Sequence, residues 1–581
     1  MGLLRPVPIF LAALFAAAAF LLRDTWTGQG TESGSICRCF PGDTCWPSIT
    51  EWNEFNRSLG GKLIATNPIA SICHDNHPFA PYDAEACARL QSVWELPETH
   101  YVSPSSPMPP FYANMSCDPF TPREAQCIIG TYVQYTVNAS SAQDYKSTLA
   151  FAQRNNIRLV IRNTGHDYLS KSTGAGAIAL WTHHIRDVSV VDYESHYYQG
   201  KAMKLGAGVM NFEAQAAAHA QGLLVVGGFC PTVGVAGGYT QGGGHGTLAS
   251  RYGLGADQVL EWEVVTADGQ QLTATPTENP DLYWALSGGG GGTYGVVLSM
   301  TVKVYPETKV AAAKLSFTSQ GVSLDTFNNV VKSVLLGLPE ANDAGVGSLW
   351  IYAEGFFMMQ PIMAPGLTAD ELSALIRPSL DELDRNGITY DYAIGDYPTY
   401  FDAFDAMNPP YNITQFHIGG RFIPRSLIES KKAIEPLMDT FKFMFSKGGI
   451  MSGMSLNVSK TPLVAPNSVH PGWRTSAFVA VYGAPFYKLD YEANIESLDL
   501  VTNVLGPSLE DITPRGGAYL NEGNIYQPNF QETFYGSSYD RLKSIKERYD
   551  PNDFFYGPTA VGSEAWRIER DGRLCQVKRQ P

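Results

Sequence analysis

A glycine-rich run at residues 227–246 constrains this chain more than any other segment. Nine of its twenty residues are glycine, and one cysteine, Cys230, lies among them. This density predicts a backbone with many positive-φ turns and several points at which another molecule can approach without side chains in the way. A second glycine-containing turn at residues 162–167 carries His166 and follows the apolar stretch 159–161. Two bare-backbone loops, each with one nucleophilic side chain, indicate a large bound group that is cradled and bonded at two points.

Length and charge limit the function classes. A chain of 581 residues exceeds what one hydrophobic core usually supports, so we expect two or more domains. Hydrophobic residues make up 44% and charged residues 17%, which is typical of a folded protein. The net charge of −15 provides no basic patch for phosphates, which argues against a nucleic-acid partner.

The N-terminal segment, residues 1–25, has the pattern of a targeting signal. Arg5 precedes an apolar run at residues 7–22, which fits a signal-peptide core and is short for a bilayer span. We expect entry into the secretory pathway, ending in the extracellular space or in an endomembrane or vacuolar lumen, with an uncleaved membrane anchor as the alternative. Sequons for glycosylation agree with this route and lie at Asn56, Asn114, Asn138, Asn412 and Asn457.

The cysteines also point to an oxidising compartment. Seven of the nine lie before residue 130, and eight are left for pairing once Cys230 is set aside. The spacing of Cys37 and Cys39 is wrong for a zinc knuckle, and the adjacent His183 and His184 lack the helical spacing of metal ligands. We therefore expect disulfides and no metal site.

The helix and strand patterns change along the chain. Residues 26–120 are rich in cysteine and proline, residues 121–306 alternate strands with helices, residues 307–510 combine short strands with long helices, and residues 511–581 are loop-rich and aromatic. This order predicts an α+β protein whose second domain is an antiparallel sheet covered by helices. Predicted helices lie at 142–155, 211–220, 325–336, 368–386 and 426–445, and predicted strands at 157–161, 177–181, 188–191, 202–205, 259–266, 314–318 and 348–356.

His166 and Cys230 each have an ordinary interpretation beside the functional one. A histidine in a turn is usually solvated, and a cysteine is usually half of a disulfide or a buried apolar thiol. His166, however, lies in a turn whose amides can face an anion, and its neutral imidazole is a competent nucleophile. Cys230 is far in sequence from the cysteine cluster and lies in bare backbone that a planar ring can approach.

Several common site motifs are absent from the sequence. The glycines at 242–246 lack the GxGxxG spacing of a dinucleotide fold, and neither a Walker A motif nor a GxSxG nucleophile elbow occurs. The Rossmann, P-loop and α/β-hydrolase classes are therefore excluded.

Long stretches of sequence carry a family likeness. They read IRNTGHDYLSKS, GGFCPTVGVAGGYTQGGGHG, YGLGADQVLEWEVVTADG, NPDLYWALSGGGGGTYGVV and YDRLKSIKERYDPNDFF. Through them the chain resembles the FAD-linked oxidases of the vanillyl-alcohol-oxidase superfamily, in the berberine-bridge-enzyme-like branch and near its fungal isoamyl-alcohol-oxidase-like members. The likeness covers residues 37–565.

The resemblance implies a fold and a cofactor. Residues 26–120 and 121–306 would form a two-part, PCMH-type FAD-binding domain, residues 307–510 the substrate domain, and residues 511–581 a segment returning to the FAD domain. His166 would bond the 8α-methyl of the isoalloxazine and Cys230 its C6, giving a bicovalent FAD with a raised redox potential. Many relatives read Gly-Gly-His-Ser where this chain has Asn-Thr-Gly-His-Asp. The other implied cofactor contacts are Arg162, Asn163, Thr164, Gly165, Asp167, Val233, Gly234, Gly237, Gly238, Gly242, Gly243, Gly244, Gly246 and Asp257.

The resemblance also implies where the substrate proton goes. Tyr519 and Asn521 match the family's Tyr-x-Asn segment, in which a buried tyrosine with a lowered pKa could take the proton of a substrate hydroxyl. Many relatives place another tyrosine after the asparagine, whereas this chain has Glu522, so the base stays open between Tyr519 and Glu522. Val233 resembles the family's oxygen-access position, where a small side chain favours an oxidase.

Together these implications give one expected function. A secreted FAD-dependent oxidase would remove a hydride from a small alcohol or phenolic substrate, of the kind found among fungal secondary metabolites, and reduce O2 to H2O2. An FAD-dependent oxidative cyclase and a non-catalytic flavin-containing binding protein stay open as alternatives.

Overall fold

The computed structural model describes residues 36–75, 77–413 and 415–577. The predicted targeting segment, residues 1–25, lies outside these ranges. None of the helices in the described residues is long and apolar enough to cross a membrane. Entry into the secretory pathway therefore stays a prediction.

The first part of the chain is built on a four-stranded mixed sheet. Its strands are β1 Leu63–Ala65, β2 Tyr135–Asn138, β3 Leu159–Arg162 and β4 Ile178–Trp181, in the order β1-β2-β4-β3. Strands β2 and β3 both run parallel to β4, so the chain between β2 and β3 needs a crossover. The helix α4, Ala142–Arg154, provides this crossover. Three helices precede it in the chain: α1 Ile49–Ser58, α2 Ala84–Val93 and α3 Pro97–Tyr101.

This sheet fixes where the first functional turn emerges. The aromatic side chains of Trp52 and Phe55 on α1 pack against Phe151 on α4, with ring centroids 4.9 and 4.0 Å apart. They close a core over one side of the sheet. Because parallel strands end at the same edge, the residues that follow Arg162 leave the sheet at its carboxyl edge.

A second, antiparallel sheet follows. Its strands are β5 Val188–Glu194, β6 Gln199–Gly206, β7 Leu223–Val225, β8 Val259–Val265, β9 Gln271–Ala274 and β10 Val296–Pro306. The long strand β10 pairs with β6, β7 and β8. Trp262, Tyr283 and Tyr294 fill the core beside it. The accompanying helices are α5 Asn211–His219, α6 Ala249–Tyr252 and α7 Pro280–Leu286.

The third sheet has seven antiparallel strands. They are β11 Val310–Thr318, β12 Gly347–Ala353, β13 Phe356–Pro365, β14 Tyr390–Tyr397, β15 Phe416–Pro424, β16 Ile450–Ser455 and β17 Ser476–Pro485, in the order β14-β11-β13-β12-β16-β17-β15. Trp350, Tyr352 and Phe478 on one face pack with helical residues in the largest core. The helices are α8 Leu324–Asp343, α9 Ala369–Arg385, α10 Tyr400–Met407, α11 Glu435–Ser446, α12 Tyr491–Leu500 and α13 Gly506–Ile512. The predicted α+β class and helix-covered antiparallel sheet are thus confirmed.

Disulfides tie the chain ends together. The C-terminal part contains α14 Tyr539–Tyr549 and the hairpin β18 Trp566–Ile568 and β19 Leu574–Gln576. A disulfide joins Cys37 to Cys575, across 538 residues of sequence. The other pairs are Cys39–Cys45, Cys73–Cys87 and Cys117–Cys127, and Cys230 is free. The prediction that eight cysteines pair and Cys230 does not is confirmed.

Three predicted elements differ from the structure. The strand expected at 348–356 is a hairpin of β12 and β13, which turns at Gly355 with φ +71°. The helix expected at 426–445 begins only at Glu435. The segment expected to be loop-rich contains α14, because Leu542 and Ile545 are three residues apart and bury one helix face.

Candidate active site

The turn after β3 holds His166. Gly165 adopts φ +86°, and a Cβ there would lie 2.8 Å from a guanidinium nitrogen of Arg162, so both the conformation and the space require glycine. Among the described residues, the backbone amides of Thr164, Gly165 and His166 have no hydrogen-bond acceptor. The turn therefore offers consecutive unpaired N–H groups that can face an anion.

Asp167 and Asn163 fix the two ends of this turn. The Asp167 carboxylate accepts hydrogen bonds from the amides of Leu169 (2.9 Å) and Ser172 (2.7 Å). Burial raises the pKa of Asp167, and these hydrogen bonds act in the opposite direction. Asn163 Nδ2 donates to the carbonyl of Ala207 at 2.7 Å, whereas its buried Oδ1 has no partner among the described residues. That oxygen is available to a bound group.

The glycine-rich run owes its composition mainly to close approach. The expectation of many positive-φ turns was wrong, because only two of the nine glycines lie in that region: Gly243 and Gly244. A Cβ on Gly246 would lie 2.1 Å from the carbonyl oxygen of Gly227, and one on Gly234 would lie 2.3 Å from Asn163 Nδ2. Glycine at these positions therefore lets the run fold closely on itself and pack against the turn at residues 162–167.

The two nucleophiles predicted from the sequence lie side by side. Cys230 Sγ is 3.7 Å from His166 Nε2, and both atoms contact Thr232 Oγ1, at 3.5 and 2.6 Å. Burial lowers the pKa of His166 to about 4, so its imidazole is neutral near pH 7 and keeps a lone pair for bond formation. Burial raises the pKa of the Cys230 thiol.

A histidine and a carboxylate form a second polar group. Both carboxylate oxygens of Glu522 lie 3.0 Å from His245 Nε2. The His245 side chain is 8% exposed and Glu522 25% exposed, so the carboxylate is the more accessible partner. His245 Nδ1 is buried and has no partner among the described residues. The imidazole therefore fixes the position of Glu522, whose carboxylate can accept a proton.

Tyr519 differs from its prediction in one respect. It is buried beside His245 and Trp473, with ring centroids 5.1 and 5.2 Å away, but burial, and then the nearby Glu522, raise its pKa rather than lower it. Asn521 Nδ2 donates to the Tyr519 hydroxyl and to the Gly238 carbonyl, both at 2.7 Å. The expectation of a lowered pKa is therefore wrong, and the hydroxyl is better suited to donate a hydrogen bond than to take a proton.

One cavity of about 500 Å³ brings most of the predicted residues together. It lies between the first turn, the glycine-rich run, the seven-stranded sheet and the C-terminal part. This volume is typical of sites for small molecules and cofactors. The predicted residues that line it are Asn163, Thr164, Gly165, His166, Asp167, Cys230, Val233, Gly234, Gly237, Gly238, Tyr519, Asn521 and Glu522.

The other predicted cofactor contacts lie outside the cavity lining: Arg162, Gly242, Gly243, Gly244, Gly246 and Asp257. The buried Arg162 guanidinium donates to three backbone carbonyls of residues 100–106 and so supports the turn from behind. The Asp257 carboxylate is occupied by Arg474, at 2.6 and 2.8 Å, and by Asn467 Nδ2 at 2.7 Å. The expectation that Asp257 contacts the cofactor has no support in this geometry.

Four further residues line the cavity that the sequence patterns do not predict as site residues. They are His245, Tyr168, Lys171 and Tyr411. His245 lies between two glycines, and this pattern could have identified it, because glycine neighbours leave room for the histidine side chain to face a ligand. Nothing in the local sequence pointed to Tyr411, which reaches the cavity from a loop of the third sheet.

Comparison with known proteins agrees with this geometry. Residues 133–275 match the family described as FAD binding domain, and residues 518–562 match the family described as berberine and berberine like. A Hypocrea jecorina protein named FAD-linked oxidoreductase sor8 is 46% identical, over 94% of this chain and 95% of its own. A Thermothelomyces thermophilus protein named VAO-type flavoprotein oxidase VAO615 is 42% identical, over 93% and 95%.

A solved structure gives the same result in three dimensions. The crystal structure of the VAO-type flavoprotein MtVAO615 from Myceliophthora thermophila superposes with a TM-score of 0.90 at 42% identity, covering 93% of this chain and all of that one. The chain belongs to the VAO-type, berberine-bridge-enzyme-like FAD-linked oxidoreductases. The family expected from the sequence, the FAD cofactor and the oxidoreductase class are thereby confirmed.

The cavity of this FAD-linked oxidoreductase fits its cofactor. The unpaired amides of the first turn suit a diphosphate. Asn163 Oδ1 and Gln241 Oε1 are buried without a partner in the described part of the chain, and they suit polar groups of a ring system. A Cβ on Gly291 would lie 3.0 Å from Gly238 Cα, so bare backbone forms this part of the lining. His166 and Cys230 complete the set of residues that would hold FAD.

Proposed function

We propose that this chain is an FAD-dependent oxidase that removes a hydride from a small alcohol or phenolic substrate, at the carbinol carbon of an alcohol or a benzylic carbon of a phenol, and reduces O2 to H2O2. The observation that carries the proposal is the single cavity that His166, Cys230 and Glu522 share. When bound, FAD supplies the hydride and electron-transfer chemistry, and the protein supplies orientation and proton removal. The small side chain of Val233 in the lining and the oxidase name of the relative VAO615 support O2 as the acceptor.

His166 and Cys230 are proposed to hold FAD through two covalent bonds. His166 Nε2 and Cys230 Sγ lie 3.7 Å apart, a distance suited to bonds with the 8α-methyl and with C6 of one ring. The neutral imidazole and the shared contact with Thr232 keep both side chains directed into the cavity. Two tethers would hold the ring in place while leaving the substrate side of the cavity open.

Glu522 is proposed to take the proton of the substrate hydroxyl. It faces the cavity, its carboxylate is fixed by His245, and a carboxylate placed within hydrogen-bond reach of a substrate is a competent general base. Tyr519 and Asn521 would orient the substrate, because the raised pKa keeps Tyr519 protonated and its hydroxyl is already held by Asn521. The alternative is that Tyr519 is the base. Single substitutions of Glu522 and of Tyr519, compared by the rate of flavin reduction, distinguish the two assignments.

We further propose that the protein enters the secretory pathway. Four disulfides among the described residues support folding in an oxidising compartment. Of the sequons, Asn114 and Asn412 are exposed, and Asn457 is half-buried. Asn412 Nδ2 donates to Glu95 at 3.4 Å, and Asn457 Nδ2 donates to Asp343 at the shorter distance of 2.7 Å. Expression in a fungal host should give secreted protein whose mass falls on glycosidase treatment, and a chain retained unglycosylated in the cytosol would contradict the proposal.

A screen of alcohols and phenols tests the oxidase proposal. The purified flavoprotein should be bleached by its substrate in the absence of O2, and admission of O2 should restore the colour with formation of H2O2. A flavin that no tested substrate bleaches would favour a non-catalytic binding protein. Bleaching followed by a cyclised product would instead favour an oxidative cyclase.

A further inference from the structure

One face of the seven-stranded sheet forms a wall of the cavity. The side chains that reach the cavity come from β12, β16, β17 and β15 and are Leu349, Ile351, Ser452, Met454, Val481 and Ile418. Leu349 pairs with Met454 across the strands, and Ser452 pairs with both Ile351 and Val481. Cross-strand partners share a face of a sheet, so these side chains form one continuous surface, which we call the sheet wall.

The sheet wall is apolar and without charge. Ser452 is its one polar member, and Leu349, Ile351, Ile418 and Val481 are only half-buried by the rest of the protein. Apolar side chains left partly uncovered along one surface favour contact with an apolar ligand. Among the described residues that line the cavity, the Asp, Glu, Lys and Arg side chains are Asp167, Lys171 and Glu522, none of which belongs to the wall.

The backbone of the proposed base lies against the sheet beside this wall, and its side chain lines the same cavity. Gly420 lies two residues from Ile418 on β15, on the same face, and pairs with Val481 on β17. A Cβ on Gly420 would lie 2.6 Å from the carbonyl oxygen of Glu522, so the glycine lets Glu522 approach the sheet. At the opposite end of the sheet wall, on β12, Leu349 packs in the same apolar cluster as Met454. The polar group and the apolar surface are therefore contiguous.

We propose that the substrate is an uncharged amphiphile whose alkyl or fused-ring aryl body lies along the sheet wall, with its reactive hydroxyl at Glu522. This inference rests on the proposed oxidase function. From β15 to β12 the wall crosses three interstrand steps. At about 4.8 Å a step, this gives about 14 Å, the length of a decyl chain. An oligosaccharide would press its hydroxyls against a surface with one polar partner, Ser452, and lose hydrogen bonds to water without replacement.

Binding of uncharged probes to the flavin-loaded enzyme tests this inference without turnover. Linear alkanamides from butanamide to decanamide lack a carbinol carbon, and their binding is followed by the change that they cause in the flavin absorbance spectrum. We expect Kd to fall by about fourfold for each added methylene up to the length of the wall. Cellobiose and maltotriose should cause no spectral change at the same concentrations.

Variants of the wall give a matched comparison. Val481→Thr keeps the shape of the side chain but places a hydroxyl under the ligand, so decanamide should bind about tenfold more weakly, with a much smaller change for butanamide. Val102→Thr is the control, because Val102 is 62% exposed and does not line the cavity. The flavin spectrum without ligand should be unchanged in both variants.

The outcomes separate this inference from the oxidase proposal. Affinity that does not depend on chain length, or tight binding of cellobiose, would overturn the inference even if peroxide were formed from a sugar. Length-dependent binding of alkanamides without reduction of the flavin by any alcohol would refute the oxidase proposal and leave the substrate class standing.

Discussion

Replacing Glu522 by glutamine should slow flavin reduction without loosening the site. In the unmodified chain, a carboxylate oxygen of Glu522 lies 3.0 Å from His245 Nε2. Glutamine keeps the shape of the side chain and an oxygen at this position, but it cannot take the substrate proton. A positioned general base contributes about 10²–10⁴-fold to rate, so we expect the rate constant for anaerobic reduction to fall at least about 10²-fold, or about 2.7 kcal/mol in the barrier. Stopped-flow absorbance, with a substrate found by the screen of alcohols and phenols, measures this step alone.

Tyr519→Phe is the matched control for that experiment. It removes a hydroxyl that accepts a hydrogen bond from Asn521 and donates a long one, of 3.4 Å, to the Tyr239 carbonyl, whereas Asn521 keeps its second bond, to the Gly238 carbonyl. Loss of the Asn521 hydrogen bond costs about 1 kcal/mol and the long bond adds little, so reduction should slow by less than about tenfold. A drop of about 10²-fold or more in Tyr519→Phe with near-normal reduction in Glu522→Gln would refute the assignment of Glu522 as the base.

Two further predictions concern stability. Burial lowers the pKa of the fully buried His100 to about 4, below the ordinary value of 6.5. As the pH falls, the unfolded chain therefore binds a proton at this histidine before the folded chain does. The free energy of unfolding should fall by about 2 kcal/mol from pH 7.5 to pH 5 through this one residue. Urea unfolding should show that the free energy of unfolding depends less on pH in His100→Asn than in the unmodified chain between pH 7.5 and pH 5. An equal pH dependence in the two proteins would contradict this prediction. Asp257→Asn leaves Arg474 without its buried partner and should cost about 3 kcal/mol, whereas Asp192→Asn, in an exposed ion pair with Lys201, should cost less than about 1 kcal/mol. Equal shifts of the urea midpoint in these two variants would argue against a structural role for the Asp257–Arg474 pair.

The sequence predicted the parts of the fold that depend on short-range patterns. The helix at 142–155 and the strands around it follow from periodicity, and they appear within a few residues of their expected bounds as Ala142–Arg154 and Leu159–Arg162. Later strands of the seven-stranded sheet, such as Ile450–Ser455, were missed. One face of such a strand packs against helices and the other lines the cavity, as Met451 and Met454 do, so the strand lacks the clear polar alternation that marks a strand with one face in water.

The candidate site was predictable where glycine and a nucleophile occur together, and less so where distant segments meet. His166 and Cys230 stand out in their local sequence, and the fold places them 3.7 Å apart. The contact between His245 and Glu522 spans 277 residues and depends on the return of the C-terminal segment, which no local pattern encodes. The pKa of Tyr519 was predicted in the wrong direction because burial depends on the rings packed around it rather than on its own sequence neighbours.

Peptide mass spectrometry tests the central claim, that one FAD is bonded to both His166 and Cys230. Protein purified with its flavin is denatured in acid, digested and analysed for peptides that carry the mass of the cofactor. The account predicts a single flavin joining the peptide that contains His166 to the peptide that contains Cys230, and in His166→Ala a flavin kept on the Cys230 peptide alone. Release of the whole flavin on acid denaturation, or its presence on one peptide only in the unmodified sequence, would contradict the claim.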